Sequence, residues 1–240
     1  LPAGGGWLLI EMPGADPIDA LDRAHRLVAD SGAIAHTIVD DPADAARRWR
    51  VRADGVGLAS RTLDGEQCWP GFEDAAVPPE RLGEYLRAFD ALTAEHGIEG
   101  MPYGHFGDGC IHIRLSIPLE RDGAAMRRFM LDAGRLVGEF GGSMSGEHGD
   151  GRARSELLPL MYSDAAIAAF GELKALFDPR NLLNPEVLVH PAPLDQDLRR
   201  PQALPTPRIR GGFDWAHDGG DFTRAVHRCV GMGKCRADSS

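Results

Sequence analysis

Apolar residues recur along this chain at two spacings, and each spacing predicts an element. The run Trp7-Leu8-Leu9-Ile10 is continuous and ends at Pro13-Gly14, so a strand is expected within residues 5–16. Ile18, Leu21, Ala24, Leu27 and Val28 follow at helical steps, which predicts a helix opened by Asp16 or Pro17. A strand over 34–39 and a helix over 42–51 come next, then a short strand over 75–78. Leu82, Tyr85, Leu86, Phe89 and Leu92 line one face of a helix that stops near Gly97. Strands at 100–106 and 110–118 precede a long helix striped by Met126, Phe129, Met130, Ala133, Leu136, Val137 and Phe140 and ended by Gly141-Gly142. A last helix at 164–177 carries Ile167, Phe170, Leu173, Leu176 and Phe177 and closes at Asp178-Pro179. The strands at 100–106 and 110–118 read as a hairpin, which makes part of the sheet antiparallel. The expected fold class is therefore α+β, an antiparallel sheet covered by helices, rather than a doubly wound parallel sheet.

From residue 191 the periodicity fades. Pro191, Pro193, Pro201, Pro205 and Pro207 sit among charges, which is linker composition, and residues 220–240 begin a new element. The expected organisation is one domain over 1–190, a Pro-rich linker over 191–219 and the start of a further module over 220–240. The start at Leu1, without Met or a polar lead-in, reads as a piece of something longer. The formal net charge is -10, and no basic stretch follows a phosphate backbone, so nucleic acid is excluded as a partner and an anionic substrate needs a few local cations. The apolar runs are too short for a transmembrane segment or a signal peptide. Cys68, Cys110, Cys229 and Cys235 are too sparse for a disulfide scaffold, which fits a reducing compartment.

The chemistry concentrates in four places. In Gly104-His105-Phe106-Gly107-Asp108-Gly109-Cys110-Ile111-His112, the pair Asp108-Gly109 is a two-residue hairpin signal. Such a turn pairs Gly107 with Cys110, Phe106 with Ile111 and His105 with His112, placing two imidazoles where they can share a metal ion. Alternation sends Ile111, Ile113, Leu115 and Ile117 to the core and Cys110, His112, Arg114 and Ser116 to the other face. An ordinary hairpin with half-exposed histidines has the same pattern. The Gly-rich stretch Ser143-Met144-Ser145-Gly146-Glu147-His148-Gly149-Asp150-Gly151 can bring an acid and a base close to a ligand, and by itself it also fits a flexible surface loop. With two histidines, an acid completes a catalytic metal arrangement that keeps open positions. Arg47, Arg48, Arg50 and Arg52 offer a carboxylate clamp or a solvated helix face. Cys229 and Cys235 supply only two of the four thiolates that an iron–sulfur cluster needs.

Together these segments resemble a known family. The 104–112 stretch is similar to the His-x-Gly-Asp-Gly-x-x-His signature of FAD-linked oxidases, in particular the C-terminal, substrate-side domain of the D-lactate, D-2-hydroxyglutarate and glycolate dehydrogenase group of the vanillyl-alcohol oxidase superfamily. Ser145-Gly146-Glu147-His148-Gly149, Phe177-Asp178-Pro179, Leu183-Asn184-Pro185 and the Trp49-x-x-Arg52 segment resemble further motifs of that group, in order over residues 1–190. The resemblance implies a ferredoxin-like-derived α+β domain in which His105, His112 and Glu147 bind a divalent metal, zinc or manganese. It implies His148 as base and Arg52 as carboxylate clamp, with Arg114 added as a second clamp from its place two residues past His112. Asn184 and Trp49 fall on the cofactor side, with FAD itself held mainly by an N-terminal domain. Cys229 and Cys235 resemble the first cluster-binding segment of a fused 4Fe-4S module, which would be incomplete here.

The implied reaction is oxidation of a D-2-hydroxy acid to a 2-oxo acid, with electrons passing from FAD to the iron–sulfur module. The isolated piece is expected to be inactive. The implied location is cytoplasmic, with peripheral attachment at the inner membrane face as a variant. Cys110 and Arg114 stand where the family often has Asn, and the Phe72-Glu73-Asp74 neighbourhood replaces a Lys found in some hydroxyglutarate-type members, so the substrate stays open. A non-catalytic metal- or partner-binding domain and a flavin-independent metal hydrolase are the two alternatives.

Overall fold

Asp16 opens the first helix as expected: its carboxylate accepts from the backbone N–H groups of Ile18 and Asp19, which the helix itself cannot satisfy. A computed structural model of the chain describes residues 1–54, 62, 64, 68–119, 123–198, 214–216 and 219–227. They fall in two compact units, Leu1–Leu58 and Ala59–Ser240.

The first unit holds α1 (Pro17–Asp30) and α2 (Pro42–Asp54). Asp44 on α2 accepts from Arg47 at 3.2 Å and Arg48 at 3.0 Å, so part of the basic run is engaged by its own helix. The segments 5–16 and 34–39 are not strands, contrary to the apolar pattern. A strand requires a partner ladder, and among the described residues neither segment has one. Trp7, Leu8, Ile10 and Ile34 accordingly remain exposed.

The second unit contains β1 (Ala75–Ala76), α3 (Leu82–Glu95), β2 (Gly100–His105), β3 (Cys110–Leu115), α4 (Gly123–Glu139), α5 (Gly151–Arg154), α6 (Asp164–Phe177) and α7 (Phe222–His227). The three strands form an antiparallel sheet in the order β1-β3-β2, so the α+β reading holds. Ile111, Ile113 and Leu115 of β3 face the core together with Tyr85 and Phe89 of α3 and Phe129, Met130, Ala133 and Val137 of α4. The ring of Phe72 stacks on Phe89 at 5.2 Å, and Phe129 meets both edge-on. No helix among the described residues is long and apolar enough to cross a membrane.

The hairpin differs from the expected one. Residues Phe106–Asp108 form a 3-10 turn and Gly109 follows in the left-handed region at φ 70, so the loop has four residues rather than two. His105 therefore pairs with Cys110 and Tyr103 with His112. The cause is tertiary: the Val77 N–H donates to the Gly109 carbonyl at 3.0 Å, and a Cβ on residue 109 would lie 1.9 Å from the Val77 oxygen. Because the slip is two residues, His105 and His112 keep a common face.

The segment after residue 190 begins inside this unit. Ala192 and Leu194 are buried, and the Leu194 N–H donates at 2.7 Å to Glu156, which also pairs with Arg127. Most of the expected linker lies outside the described residues.

Phe129 should be the most expensive side chain to truncate. Phe129→Ala is expected to cost about 3–5 kcal/mol in urea unfolding, because it removes the ring that meets Phe72 and Phe89 and leaves a cavity between α3 and α4. A change below about 1 kcal/mol would mean that α4 does not carry the core.

Candidate metal and active site

β1 brings the two signature motifs together. Ala76 pairs with Cys110 on one side and exchanges two hydrogen bonds of 2.8 Å with Ser143 on the other. The loop after α4 is thereby laid along the polar face of β3. Gly146 allows the close approach: a Cβ there would stand 2.9 Å from the Cys110 sulfur. This cover buries part of the polar face, and His112 is only 5% exposed rather than half-exposed as in an ordinary hairpin.

Three imidazoles then meet one carboxylate. Glu147 Oε1 lies 3.0 Å from His112 Nε2, 3.4 Å from His105 Nε2 and 3.6 Å from His148 Nε2. The His112 and His148 rings are parallel at 4.9 Å, and His105 meets His112 edge-on at 5.6 Å. His105, Glu147 and His148 are each about half exposed. His112, Glu147, His148 and Asp74 offer ligand atoms within 4.8 Å of one another.

These residues suit a divalent cation. Burial, then the neighbouring His148, pushes the His112 imidazole below its usual range against the pull of Glu147 and Asp74. That direction favours the free base, the form that coordinates metal. Its Nε2 is the atom turned to Glu147, while Nδ1 is buried and has no hydrogen-bond partner among the described residues. Cys110 shares the polar face but does not join the set. Burial and the charges of Asp74 and Glu147 push its thiol up to about 11, so it stays protonated beside Asp74.

The residue that the sequence reading missed is Asp74. It is fully buried, and its carboxylate accepts from Ser145 Oγ at 2.6 Å, from the His148 N–H at 2.7 Å and from the Glu147 N–H. Burial alone would raise its carboxyl; these hydrogen bonds, with His148 adding to them, hold it below the ordinary range. The only trace in sequence is an acid placed directly before the apolar Ala75-Ala76-Val77 run.

The other expected residues are placed as follows. Arg114 projects from β3 on the His112 side and pairs with Glu73 at 3.7 Å. Burial pushes the Glu73 carboxyl up, while Arg114 opposes that shift. Trp49 and Arg52 belong to α2 of the first unit, where Trp49 is partly exposed. Asn184 lies in the loop after α6 with a left-handed backbone, φ 46, which Asn tolerates. Among the described residues, no hydrogen bond or ion pair joins it to the histidines. Cys229 and Cys235 lie outside the described residues.

The residues 1–188 match the family model of FAD linked oxidases, C-terminal domain. The chain belongs to the FAD-linked oxidases. It is 31% identical over 199 residues to D-2-hydroxyglutarate dehydrogenase of Escherichia coli (strain K12), covering 82% of this chain and 19% of that protein. It is 30% identical over 241 residues to the protein of the same name from Pseudomonas putida, covering 96% of this chain and 23% of the relative. A D-lactate dehydrogenase of Anaerostipes hadrus is 29% identical over 171 residues, 70% of this chain and 35% of its own length. The chain thus spans about a fifth to a third of these FAD-linked relatives.

Within this FAD-linked oxidase domain, the loop carrying Asn184 is held by Asp178. Its carboxylate accepts from Lys174 at 2.7 Å and from the N–H groups of Leu182 and Leu183, and these contacts lower it to about 2. A lowered carboxyl stabilises the fold above its unfolded pKa and loses that contribution as pH falls through the folded value. The melting-temperature difference between parent and Asp178→Ala should therefore be constant above about pH 4 and shrink toward pH 2. A difference that stays flat across this window would remove Asp178 as the support of the loop.

Proposed function

We propose that this chain is the substrate- and metal-binding domain of a flavin-dependent dehydrogenase that oxidises a D-2-hydroxy acid to a 2-oxo acid. The convergence of three imidazole Nε2 atoms on Glu147 Oε1 carries the proposal. Family membership and relatives named for D-2-hydroxyglutarate and D-lactate support it. His105, His112 and Glu147 would hold the cation, zinc or manganese. When bound, the cation supplies Lewis acidity toward the substrate hydroxyl, and FAD, held mainly by an N-terminal domain, accepts the electron pair.

This chain's own residues bind, orient and move the proton. His148 is half exposed beside the ligand set, and its Nε2 takes the hydroxyl proton. Arg114 holds the carboxylate end of the substrate so that the Cα–H bond is presented to the flavin, and Arg52, on the first unit, has the same role by resemblance to the family. A second guanidinium at the site suits a 2-hydroxy acid with a further polar or anionic group better than lactate, and the pairing of Arg114 with Glu73 counts against that role. Asn184 and, on the first unit, Trp49 are each assigned to flavin contact by resemblance to the family. Cys229 and Cys235 open a 4Fe-4S module that takes the electrons onward. The likeness to the Pseudomonas putida protein covers 96% of the chain, which supports a tail shared with that relative. The whole protein is placed in the cytoplasm, with peripheral contact at the inner membrane face as the variant. Without its flavin domain the chain is expected to be colourless and inactive.

Elemental analysis after loading with zinc or manganese should find about one ion per chain in the parent. His105→Ala and His112→Ala should both lose it. The half-exposed His105 is the cleaner test, because truncating buried His112 also opens a hole. Equal metal content in parent and His105→Ala would remove the assignment.

In the full-length protein, His148→Ala should lower kcat by about 10²–10⁴-fold with a smaller effect on KM. Arg114→Ala should hurt a hydroxydicarboxylate more than lactate. Equal losses on both substrates would deny Arg114 a role in selection.

A further inference from the structure

Four consecutive loop residues are tied to one buried acid. Ser145 donates its hydroxyl to the Asp74 carboxylate, Gly146 donates its N–H to the Asp74 carbonyl at 2.7 Å, and Glu147 and His148 donate their N–H groups to the carboxylate. Arg154, itself buried, holds the next residue by donating to the Gly149 carbonyl at 2.6 Å, with its guanidinium 3.9 Å from Asp74. A buried carboxylate is tolerated only when its lone pairs are satisfied, and here one loop supplies nearly all the donors. The remaining one is the Cys110 thiol at 3.7 Å.

We propose that Asp74 is a positioning residue that sets the main chain beneath Glu147 and His148, so that Glu147 Oε1 and His148 Nε2 face His105 and His112. Asp74 lies within ligand distance of the cluster but does not coordinate. Its Oδ2 accepts from Ser145 and His148 and its Oδ1 from Glu147 and, at 3.7 Å, from the Cys110 thiol, which uses the roughly four acceptor sites of a carboxylate. Glu147 and His148 start their side chains from adjacent residues of this loop, so a displaced backbone moves both functional groups at once. Misplacement by about 1 Å at such a site costs on the order of 10²-fold. The metal arm of the test rests on the reading of the site given above; the exchange arm does not.

The test uses this chain, as parent, Asp74→Asn and Ser145→Ala. Amide exchange of Glu147 and His148 is followed by NMR, with the amides of Phe129, Met130 and Ala133 as a control on the core. Cobalt(II) is titrated in parallel by its visible absorption. In Asp74→Asn the two loop amides should exchange at least about tenfold faster while the core amides are unchanged. Cobalt(II) should bind at least about tenfold more weakly, with the same bands at saturation because the ligands are the same. Ser145→Ala should shift both readouts in the same direction by less.

Unchanged exchange at Glu147 and His148 in Asp74→Asn overturns the proposal, and so do altered cobalt bands, which would make Asp74 a ligand. If Asp74→Asn does not fold, Ser145→Ala decides: faster exchange at those two amides supports the proposal and unchanged exchange overturns it. A parent that takes up no cobalt(II) would end the metal reading, while the exchange arm would still decide the role of Asp74.

Discussion

Ala76 lends its backbone to two neighbours at once, Cys110 in the hairpin and Ser143 in the Gly-rich loop. A two-residue strand rarely matters to a fold, since its few hydrogen bonds contribute little by themselves. Here it is the join between two motifs that lie more than 30 residues apart in the chain. The hairpin presents His105 and His112, the loop presents Glu147 and His148, and each is held against the same short segment. The polar counterpart of this join is Asp74, one residue before β1, and its apolar counterpart is Val77, one residue after it, which grips the hairpin turn through Gly109.

Much of this was legible in sequence, and the reasons are local. Each long helix of the second unit has an apolar stripe at helical spacing, and α3, α4 and α6 fall where that spacing places them. The alternation in β3 correctly named its core face. His105, His112, Glu147 and His148, which the structure brings together, stand in two motifs dense in Gly, His and acid, and that density is visible in sequence. What was not legible depends on interactions between distant residues. The register of the hairpin is set by Val77, some 30 positions from the turn, and a two-residue turn reading had no access to it. The anchoring by Asp74 depends on donors more than 70 positions downstream. The strands expected in the first unit failed for a related reason. Extended apolar segments propose a strand, but only a partner makes one.

The electrostatics of the site follow from how unevenly it is buried. His112 and Asp74 lie inside, whereas His105, Glu147 and His148 are half in solvent. Burial lowers the pKa of the His112 imidazole, and hydrogen bonds from the loop lower that of the Asp74 carboxyl against its burial. In a chain with a formal charge of -10, side chains able to ligate a cation gather at one point, and Arg114 on the same strand as His112 pairs with Glu73.

The slip in the hairpin has a meaning for how such a motif can vary. Side chains on a strand obey parity, and parity survives any shift of the pairing by an even number of residues. His105 and His112 share a face with the four-residue turn seen here and would share it with the two-residue turn that the sequence suggests. A shift by one would send one imidazole into the layer of Ile111 and Ile113, where nothing polar awaits it. The spacing between the two histidines is therefore less constrained than it looks on paper. Odd and even steps are different kinds of change, and only the even ones leave the chemistry in reach.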